Sequence, residues 1–276
     1  FTGVAACGPD PKEATRKLMP IVIPAEEVIP WVANWYATIC RECPAGCGML
    51  AKVREGRAIK VEGNPNHPIN AGGLCARGQA SLQGLYNPDR IRQPLSRDAS
   101  GQFQPISWEE AEKSLAERLS AIRFQGKASR IAFLTQRTTG SLDRLIGEWL
   151  QTFGSNQRLA YEAFAYEALR TGNRICFGQD EIPEYRIEQA EFLISFGVDF
   201  LETWLSPVEF ARGFSKMRRM ESGRMGHFIY VSPRLSLTAA NADEWIAPKP
   251  GTEIFIALGM VYVILKERMD TNLSRS

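Results

Sequence analysis

Four cysteines with the spacing Cys-x2-Cys-x3-Cys-x27-Cys constrain the fold of this chain more than any other feature. Three of them lie in the eight residues CRECPAGC, and the fourth follows in GGLCARG; they are Cys40, Cys43, Cys47 and Cys75. A four-iron cubane needs thiolates at the corners of a tetrahedron, and one short loop plus one distant ligand can supply them. The neighbouring glycines let the backbone fold closely and direct N–H groups toward sulfur. The array therefore predicts a 4Fe–4S cluster.

Two other uses of these cysteines stay open at this point. Zinc also takes four thiolates, although structural zinc is usually held by two separate Cys-x2–4-Cys pairs. Disulfides would suit an exported protein, although thiols this crowded pair only with strain.

Two further residues are interpreted from their immediate sequence neighbours. Cys176 follows a helical pattern and is predicted to be a buried thiol, and His67 is predicted to be a turn histidine or, alternatively, a neighbour of the cluster.

The composition is that of an ordinary globular protein, and it excludes some functions. The 276 residues are 44% hydrophobic and 23% charged, so the chain can bury a substantial core. A formal net charge of +2, without a run of Lys or Arg, gives no case for a nucleic-acid partner. The apolar stretch IFIALGMVYVIL has 12 residues, which is too short for a bilayer, and is predicted to be a core helix.

Residues 1–34 are interpreted as the remnant of an export signal followed by an extended arm. The first residues, FTGVAACG, are small and apolar, as at the end of such a signal. Cys7 follows Val4, Ala5 and Ala6 as in a bacterial lipobox, so it is a candidate for lipidation. The alternative is an Ala-rich signal stretch in which a cysteine happens to occur.

The rest of the chain divides into two domains by its hydrophobic pattern. Residues 35–95 form an iron–sulfur module, in which MLAKVREGRAIKVEG predicts a β-hairpin that turns at Glu55 and Gly56. Residues 96–276 begin with a polar linker and a capping box at Ser107, and short apolar strands then alternate with amphipathic helices. Such strands are typical of a parallel sheet covered on both faces. The predicted fold is α/β, a small β-rich iron–sulfur module followed by a doubly wound, mostly parallel sheet.

The order of the motifs resembles that of the molybdopterin oxidoreductases, the DMSO reductase superfamily. The resemblance rests on CRECPAGCG and GGLCARG, then YNPDRIRQPL, FQPISWEEA, ISFGVDFLETW and SPRLSLTAANADEWIAPKPGTE, and it runs from about Trp35 to the end of the chain. It implies that the cluster passes electrons between a molybdenum bis-pterin cofactor and further clusters. In appearance the sequence is most similar to the molybdopterin-like iron–sulfur subunit of alternative complex III and to polysulfide-reductase-like subunits.

The same resemblance implies a role for Arg77, two residues after the fourth cysteine. In the superfamily a basic residue at this place lies between cluster and pterin, so Arg77 is the candidate electron relay. Four thiolates on a 2+ core leave a net charge of about −2, which a nearby guanidinium offsets. The alternative is an ordinary surface arginine.

The resemblance also places a pterin crevice in the second domain. The loops ISFGVDFLET and SPRLSLT each follow a predicted strand, where open α/β sheets bind their ligands. PGT precedes the last helix, a place suited to a phosphate. The ligand implied is molybdopterin guanine dinucleotide. The candidate residues are Gly197, Asp199, Glu202, Thr203, Ser232, Arg234, Gly251 and Thr252.

Two departures from the superfamily argue against molybdenum chemistry in this chain. Its members supply a Cys, selenocysteine, Ser or Asp to the metal, but YEAFAYEALRTGNR has none of these from Phe164 to Glu167. Cys176, some ten residues later, is a poor substitute. The chain is also much shorter than the several hundred residues with which the superfamily encloses two pterins.

The expected function is electron transfer by an iron–sulfur subunit, or a fragment of one, in a membrane-associated respiratory oxidoreductase. It is expected on the periplasmic side of a bacterial membrane, attached through its partners or through lipidated Cys7. The expected partners are iron–sulfur, cytochrome or quinone-site membrane subunits. One alternative is part of a catalytic molybdenum bis-pterin enzyme of polysulfide, thiosulfate or formate type, completed by another chain. The other is a structural subunit whose cluster or zinc only holds the fold.

Overall fold

The computed structural model describes residues 29–138, 140–162, 164, 166–220 and 225–269. These residues fall into two compact units. The first contains the described residues up to Leu134 together with Thr138–Leu159, and the second contains Thr135–Arg137 and the described residues from Ala160 onward. Cys7 lies outside the described residues, so its lipidation stays a prediction.

The first unit opens with an antiparallel sheet of three strands. Strand β1 (Ala33–Ile39) pairs with β2 (Gly48–Arg54), which pairs in turn with β3 (Arg57–Gly63). The predicted hairpin is confirmed, since Glu55 and Gly56 form the turn with φ angles of 49° and 77°. Positive φ at both central residues is the requirement of a two-residue type I′ turn.

Helix α1 (Ala76–Leu85) and a short hairpin follow. The hairpin consists of β4 (Leu95–Arg97) and β5 (Phe103–Pro105), where the sequence predicts only a polar linker. Asp98 explains the difference, because its carboxylate accepts hydrogen bonds from the backbone N–H groups of Ser100 and Gln102 and closes the turn. Strands of three residues carry too little alternation for the sequence to reveal them.

The first unit continues with α2 (Trp108–Phe124), β6 (Ala132–Thr135), α3 (Gly140–Phe153) and β7 (Gln157–Ala160), and β6 pairs with β7. The predicted capping box is present at the start of α2. The hydroxyl of Ser107 accepts the N–H of Glu110, and the carboxylate of Glu110 accepts the N–H of Ser107. A small core forms from Ile131, Ile146 and Leu150, with Leu119 and Ile122 packed against it.

The second unit contains a parallel sheet. Its strands are β8 (Phe192–Phe196), β9 (His227–Val231) and β10 (Glu244–Ile246), with β9 in the middle. The helices are α4 (Glu167–Phe177), α5 (Pro207–Met217), α6 (Leu237–Ala240) and α7 (Glu253–Lys266). Helices α5 and α6 lie in the crossovers that parallel strands require. The predicted α/β class and its parallel sheet are confirmed.

An aromatic core supports this sheet. Phe228 has no exposed surface, and its ring lies 5.4 Å from the rings of both Phe200 and Phe214 in edge-to-face geometry. Phe210 and Met217 belong to the same buried cluster. Edge-to-face packing is favoured by the aromatic quadrupole, so this cluster fixes the position of β9.

Two predictions about burial are wrong for the described residues. Cys176 is exposed rather than buried, as are Ile175 and Phe177 beside it on α4. Helix α7 is apolar on all sides, yet none of its side chains is buried. Periodicity shows which faces are apolar, but burial also needs a neighbouring element to cover them. Within the described residues, no helix combines the length and hydropathy needed to cross a membrane.

Candidate functional site

Three of the predicted cysteine ligands lie in the loop that joins β1 to β2. The ladder between these strands ends at Ile39 and Gly48, and the N–H of Cys40 donates to the carbonyl of Cys47 at 2.8 Å. This bond draws both ends of the loop together. Cys40 and Cys47 are each 5% exposed, and Cys43 is half-buried. The strands thus hold two of the thiols, and the loop carries the third between them.

The fourth ligand, Cys75, caps the N-terminus of α1. Its φ and ψ are extended, and its carbonyl accepts the N–H of Gln79 in the first turn of the helix. Cys75 is half-buried. The helix start thus places Cys75 beside backbone N–H groups that have no partner within the helix.

Glycines allow the segments around the cysteines to approach closely. A Cβ at Gly48 would lie 2.5 Å from the ring of His67, and a Cβ at Gly63 would lie 2.3 Å from the carbonyl oxygen of Gly72. His67 therefore sits in a turn and packs against Gly48, beside the cysteine loop, while its position next to a cluster stays a prediction. Its Nδ1 is buried and has no hydrogen-bond partner in the described part of the chain.

The electrostatics of the thiols show that all four converge. Burial, followed by repulsion from Cys43, Cys40 and Cys75, raises the pKa of the Cys47 thiol to about 11. Burial also raises the pKa of Cys40; a backbone hydrogen bond from Glu42 opposes the shift, and Cys43 and Cys75 add to it. A cationic iron–sulfur core would offset the mutual repulsion of four thiolates, so the residues fit a 4Fe–4S cluster.

Zinc and a four-iron cluster make different demands on the positions of four thiolates. Thiolates on zinc must crowd within about 2.3 Å of one atom, whereas each thiolate of a cubane binds its own iron at the edge of a larger core. Each of these four cysteines is also free of a disulfide.

Arg77 lies in the first turn of α1, two residues after Cys75, and is exposed. Its positive charge is therefore two residues along the chain from the predicted fourth ligand. Its role as an electron relay stays a prediction.

The second unit brings six of the eight crevice candidates together at the carboxyl ends of β8 and β9. Arg234 Nη2 lies 2.7 Å from Asp199 Oδ2 and 3.1 Å from Glu202 Oε2. The N–H of Arg234 donates to Ser232 Oγ, and the N–H of Thr203 donates to the carbonyl of Asp199. Gly197 ends β8 with a φ of 68° and open space where a Cβ would project.

Asp199 is the least exposed member of this ion-pair cluster. Burial raises its pKa, but the side chains of Thr238, Ser236 and Glu202 and the charge of Arg234 hold it below its usual value on balance. Asp199 Oδ1 is buried and makes no hydrogen bond of good geometry within the described residues.

Gly251 and Thr252 have local contacts instead. The N–H and hydroxyl of Thr252 both donate to the carbonyl of Lys249, just before α7. These bonds cap the turn, and a phosphate role for the two residues stays a prediction.

Comparison with known proteins agrees with this geometry. Residues 33–87 match the molybdopterin oxidoreductase Fe4S4 domain, and residues 90–272 match the molybdopterin oxidoreductase domain. The chain belongs to the molybdopterin oxidoreductase superfamily. The predicted 4Fe–4S cluster is confirmed by the first match, and the second makes a molybdopterin cofactor compatible with the chain.

Several relatives resemble most of the chain. It is 32% identical to the molybdopterin-binding-like subunit of menaquinone reductase from Nitratidesulfovibrio vulgaris, over 85% of this chain and 33% of that protein. It is 32% identical to the molybdopterin-containing subunit of arsenate respiratory reductase from a Shewanella species, over 86% and 28%. It is 29% identical to the periplasmic nitrate reductase of Desulfovibrio desulfuricans, over 86% and 31%. The chain thus spans about a third of the length of these relatives.

One polar residue near the cysteines, Asn70, is missed by sequence reasoning. Asn70 lies in NPNHPINAGG, a stretch that reads as an ordinary turn because Asn, Pro and Gly are common in turns. Only the folded backbone shows that the Asn70 side chain is buried.

Proposed function

We propose that this chain is the iron–sulfur electron-transfer part of a respiratory oxidoreductase complex and performs no molybdenum chemistry of its own. The observation that carries the proposal is the convergence of Cys40, Cys43, Cys47 and Cys75 between a β-hairpin and a helix N-terminus. A cluster held by four thiolates in a partly buried site gains and loses one electron with little rearrangement.

The absence of molybdenum chemistry is supported by the segment before α4. The superfamily resemblance leads us to expect a Cys, Ser or Asp here, but the residues present include Phe164, Tyr166 and Glu167, and Tyr166 is buried at 6% exposure. The name of the Nitratidesulfovibrio relative, a molybdopterin-binding-like subunit, supports the same interpretation. By this proposal, the α/β domain serves as a scaffold for docking partners.

The proposed location is the periplasmic face of a bacterial membrane, in contact with iron–sulfur, cytochrome or quinone-site membrane subunits. The apolar N-terminal stretch with Cys7 and the resemblance to a periplasmic nitrate reductase support this location. Labelling with a radioactive fatty acid, in the wild type and in Cys7→Ser, tests the lipid anchor. Label on both proteins, or on neither, overturns it.

Elemental analysis of the native complex tests the main proposal. We expect about four irons and four acid-labile sulfides per chain from this site, no stoichiometric molybdenum, and a reversible electron paramagnetic resonance signal on reduction. A complex containing the Cys75→Ser chain is the matched control, because any other clusters in the complex are unchanged. If iron and signal do not differ between these two complexes, the assignment of the site is wrong.

A second candidate function is a catalytic molybdenum bis-pterin enzyme of polysulfide, thiosulfate or formate type, completed by another chain. The ion-pair cluster of Asp199, Glu202 and Arg234 favours it, because these polar groups lie at the carboxyl ends of parallel strands, where open α/β sheets bind their ligands. When bound, such a cofactor would supply the metal centre, while Asp199, Glu202 and Arg234 would orient it. Stoichiometric molybdenum in the native complex would favour this candidate. A complex whose cluster is not reduced and reoxidised would instead leave a purely structural role.

A further inference from the structure

Asn70 lies between the two segments that carry the cysteines, and its side chain is fully buried. Its Oδ1 accepts the N–H of Gly48 at 2.8 Å, and its Nδ2 donates to the carbonyls of Gly48 at 2.9 Å and Gly73 at 2.6 Å. Gly48 directly follows Cys47, and Gly73 stands two residues before Cys75. One side-chain amide therefore ties the three-cysteine loop to the segment that delivers the fourth cysteine.

The chemistry of this contact requires an amide. Asn70 uses both of its N–H donors and its carbonyl acceptor on backbone groups. A carboxylate of the same shape offers acceptors only, so it would face the carbonyls of Gly48 and Gly73 without a donor. An alanine would leave the N–H and carbonyl of buried Gly48 and the carbonyl of half-buried Gly73 without these partners, and a polar group left unpaired in the interior costs more than the loss of an ordinary exposed hydrogen bond.

The surrounding backbone makes the tie rigid. The carbonyl of Gly48 also accepts the N–H of Asn64, and the carbonyl of Asn64 accepts the N–H of Gly72. Gly63 already approaches Gly72 so closely that a Cβ would overlap it at 2.3 Å. These bonds hold the segment from Asn64 to Gly73 against Gly48, and the Asn70 amide adds a direct link to the end of the three-cysteine loop.

We propose that Asn70 is a positioning residue that sets the distance between the three-cysteine loop and Cys75, and thereby keeps iron at the fourth corner of the cluster. The inference rests on the 4Fe–4S assignment. Loss of one electron from [4Fe–4S]2+ to ferricyanide gives [4Fe–4S]3+, which releases Fe2+ and leaves [3Fe–4S]+. The thiolate freed by that iron takes up a proton from water. Asn70 slows this release at the corner that Cys75 holds.

The test uses the full chain, reconstituted without oxygen from ferrous iron and sulfide and then oxidised with ferricyanide. Asn70→Ala and Asn70→Asp are compared with the wild type and with Asn66→Ala, an exposed asparagine of the same loop. Growth of the three-iron paramagnetic signal gives the rate of iron release, and alkylation with mass spectrometry identifies the freed thiol. We expect release about tenfold or more faster in both Asn70 variants, with Cys75 labelled first, and wild-type behaviour in Asn66→Ala.

The possible outcomes separate failure of the cluster assignment from failure of the role proposed for Asn70. If the wild type binds no cluster, the cluster assignment fails, and the inference fails with it. If the wild type holds the cluster and both Asn70 variants release iron at its rate, only the role of Asn70 is overturned. Even labelling of all four thiols, or complete loss of the cluster in both variants with no three-iron stage, also overturns it. Such a result shows general support of the module rather than control of one corner.

Discussion

The cysteine module (residues 33–87) buries few apolar side chains, whereas the region around β8, β9 and β10 is built on aromatic rings. In the module, Met49 and Val61 are the buried apolar side chains apart from the cysteines, among its described residues. In the second region Phe228 and Tyr230 are almost inaccessible and are surrounded by further aromatic rings. The first region depends on ligand bonds and backbone hydrogen bonds, and the second on packing.

The difference follows from what each region must hold. A cluster is itself a rigid, charged core, so the module needs ligands, tight turns and satisfied backbone groups more than it needs apolar volume. A parallel sheet has no such core and must bury apolar side chains to remain stable. The two regions should therefore fail under different perturbations, and the following predictions test that contrast from the largest effect to the smallest.

Loss of one cluster ligand should have the largest effect. We expect Cys40→Ser, Cys43→Ser, Cys47→Ser and Cys75→Ser each to abolish the intact cluster and to unfold much of residues 35–80, because the module has little packing to replace the iron. Hydrogen exchange with mass spectrometry, together with iron analysis, measures both effects. Cys176→Ser is the control and should retain full iron, since Cys176 is exposed on α4. Loss of iron in Cys176→Ser but not in Cys75→Ser would reverse the ligand assignment.

Removal of a ring from the aromatic core should come second. Phe228→Ala leaves a cavity under β9 and should lower the free energy of unfolding of the second region by about 3–5 kcal/mol. Urea titration followed by hydrogen exchange in β8 and β9 measures this loss. Phe192→Ala removes a ring that is 55% exposed on the neighbouring strand and should cost much less. Equal losses in the two variants would mean that the aromatic cluster is not the support of this sheet.

Neutralisation of Arg77 should shift the cluster potential without unfolding either region. A nearby positive charge stabilises the more negative, reduced cluster, so Arg77→Ala should lower the midpoint potential by on the order of tens of millivolts. Arg77→Lys should lie in between, because it retains the charge and loses the planar group. A redox titration of the three proteins decides the matter. Equal midpoints would make Arg77 a surface residue with no part in electron transfer.

Acid titration of the β4–β5 turn should give the smallest effect. Hydrogen bonds from Ser100, then Gln104 and the N–H of Gln102, lower the pKa of Asp98 from 3.8 to about 2. A carboxyl group whose pKa is depressed in the folded state stabilises it above pH 3.8, and this contribution is lost as the pH falls toward 2. Asp98→Asn should remove that pH dependence, measured by hydrogen exchange of residues 95–105 between pH 5 and 2. An unchanged acid profile in Asp98→Asn would show that the turn does not depend on this charge.

Much of the fold is readable from local pattern. The hairpin at Glu55 and Gly56, the capping box at Ser107 and the strands β8 and β9 of the parallel sheet all follow from residues close together in sequence. Cysteine spacing is also local for three of the four ligands. Turn and cap preferences are short-range effects of backbone sterics and side-chain hydrogen bonds, so the sequence expresses them directly.

By itself, then, the sequence determined the 4Fe–4S domain, the α/β class and the strand ends at which Asp199 and Arg234 lie. Tertiary structure alone decided that Arg234 pairs with both Asp199 and Glu202, that Cys176 is exposed, and that Asn70 is buried against Gly48 and Gly73. These facts depend on which segments meet in space. Residues that are 22 or 35 positions apart reveal no periodicity, and only the folded backbone brings their polar groups within hydrogen-bonding distance.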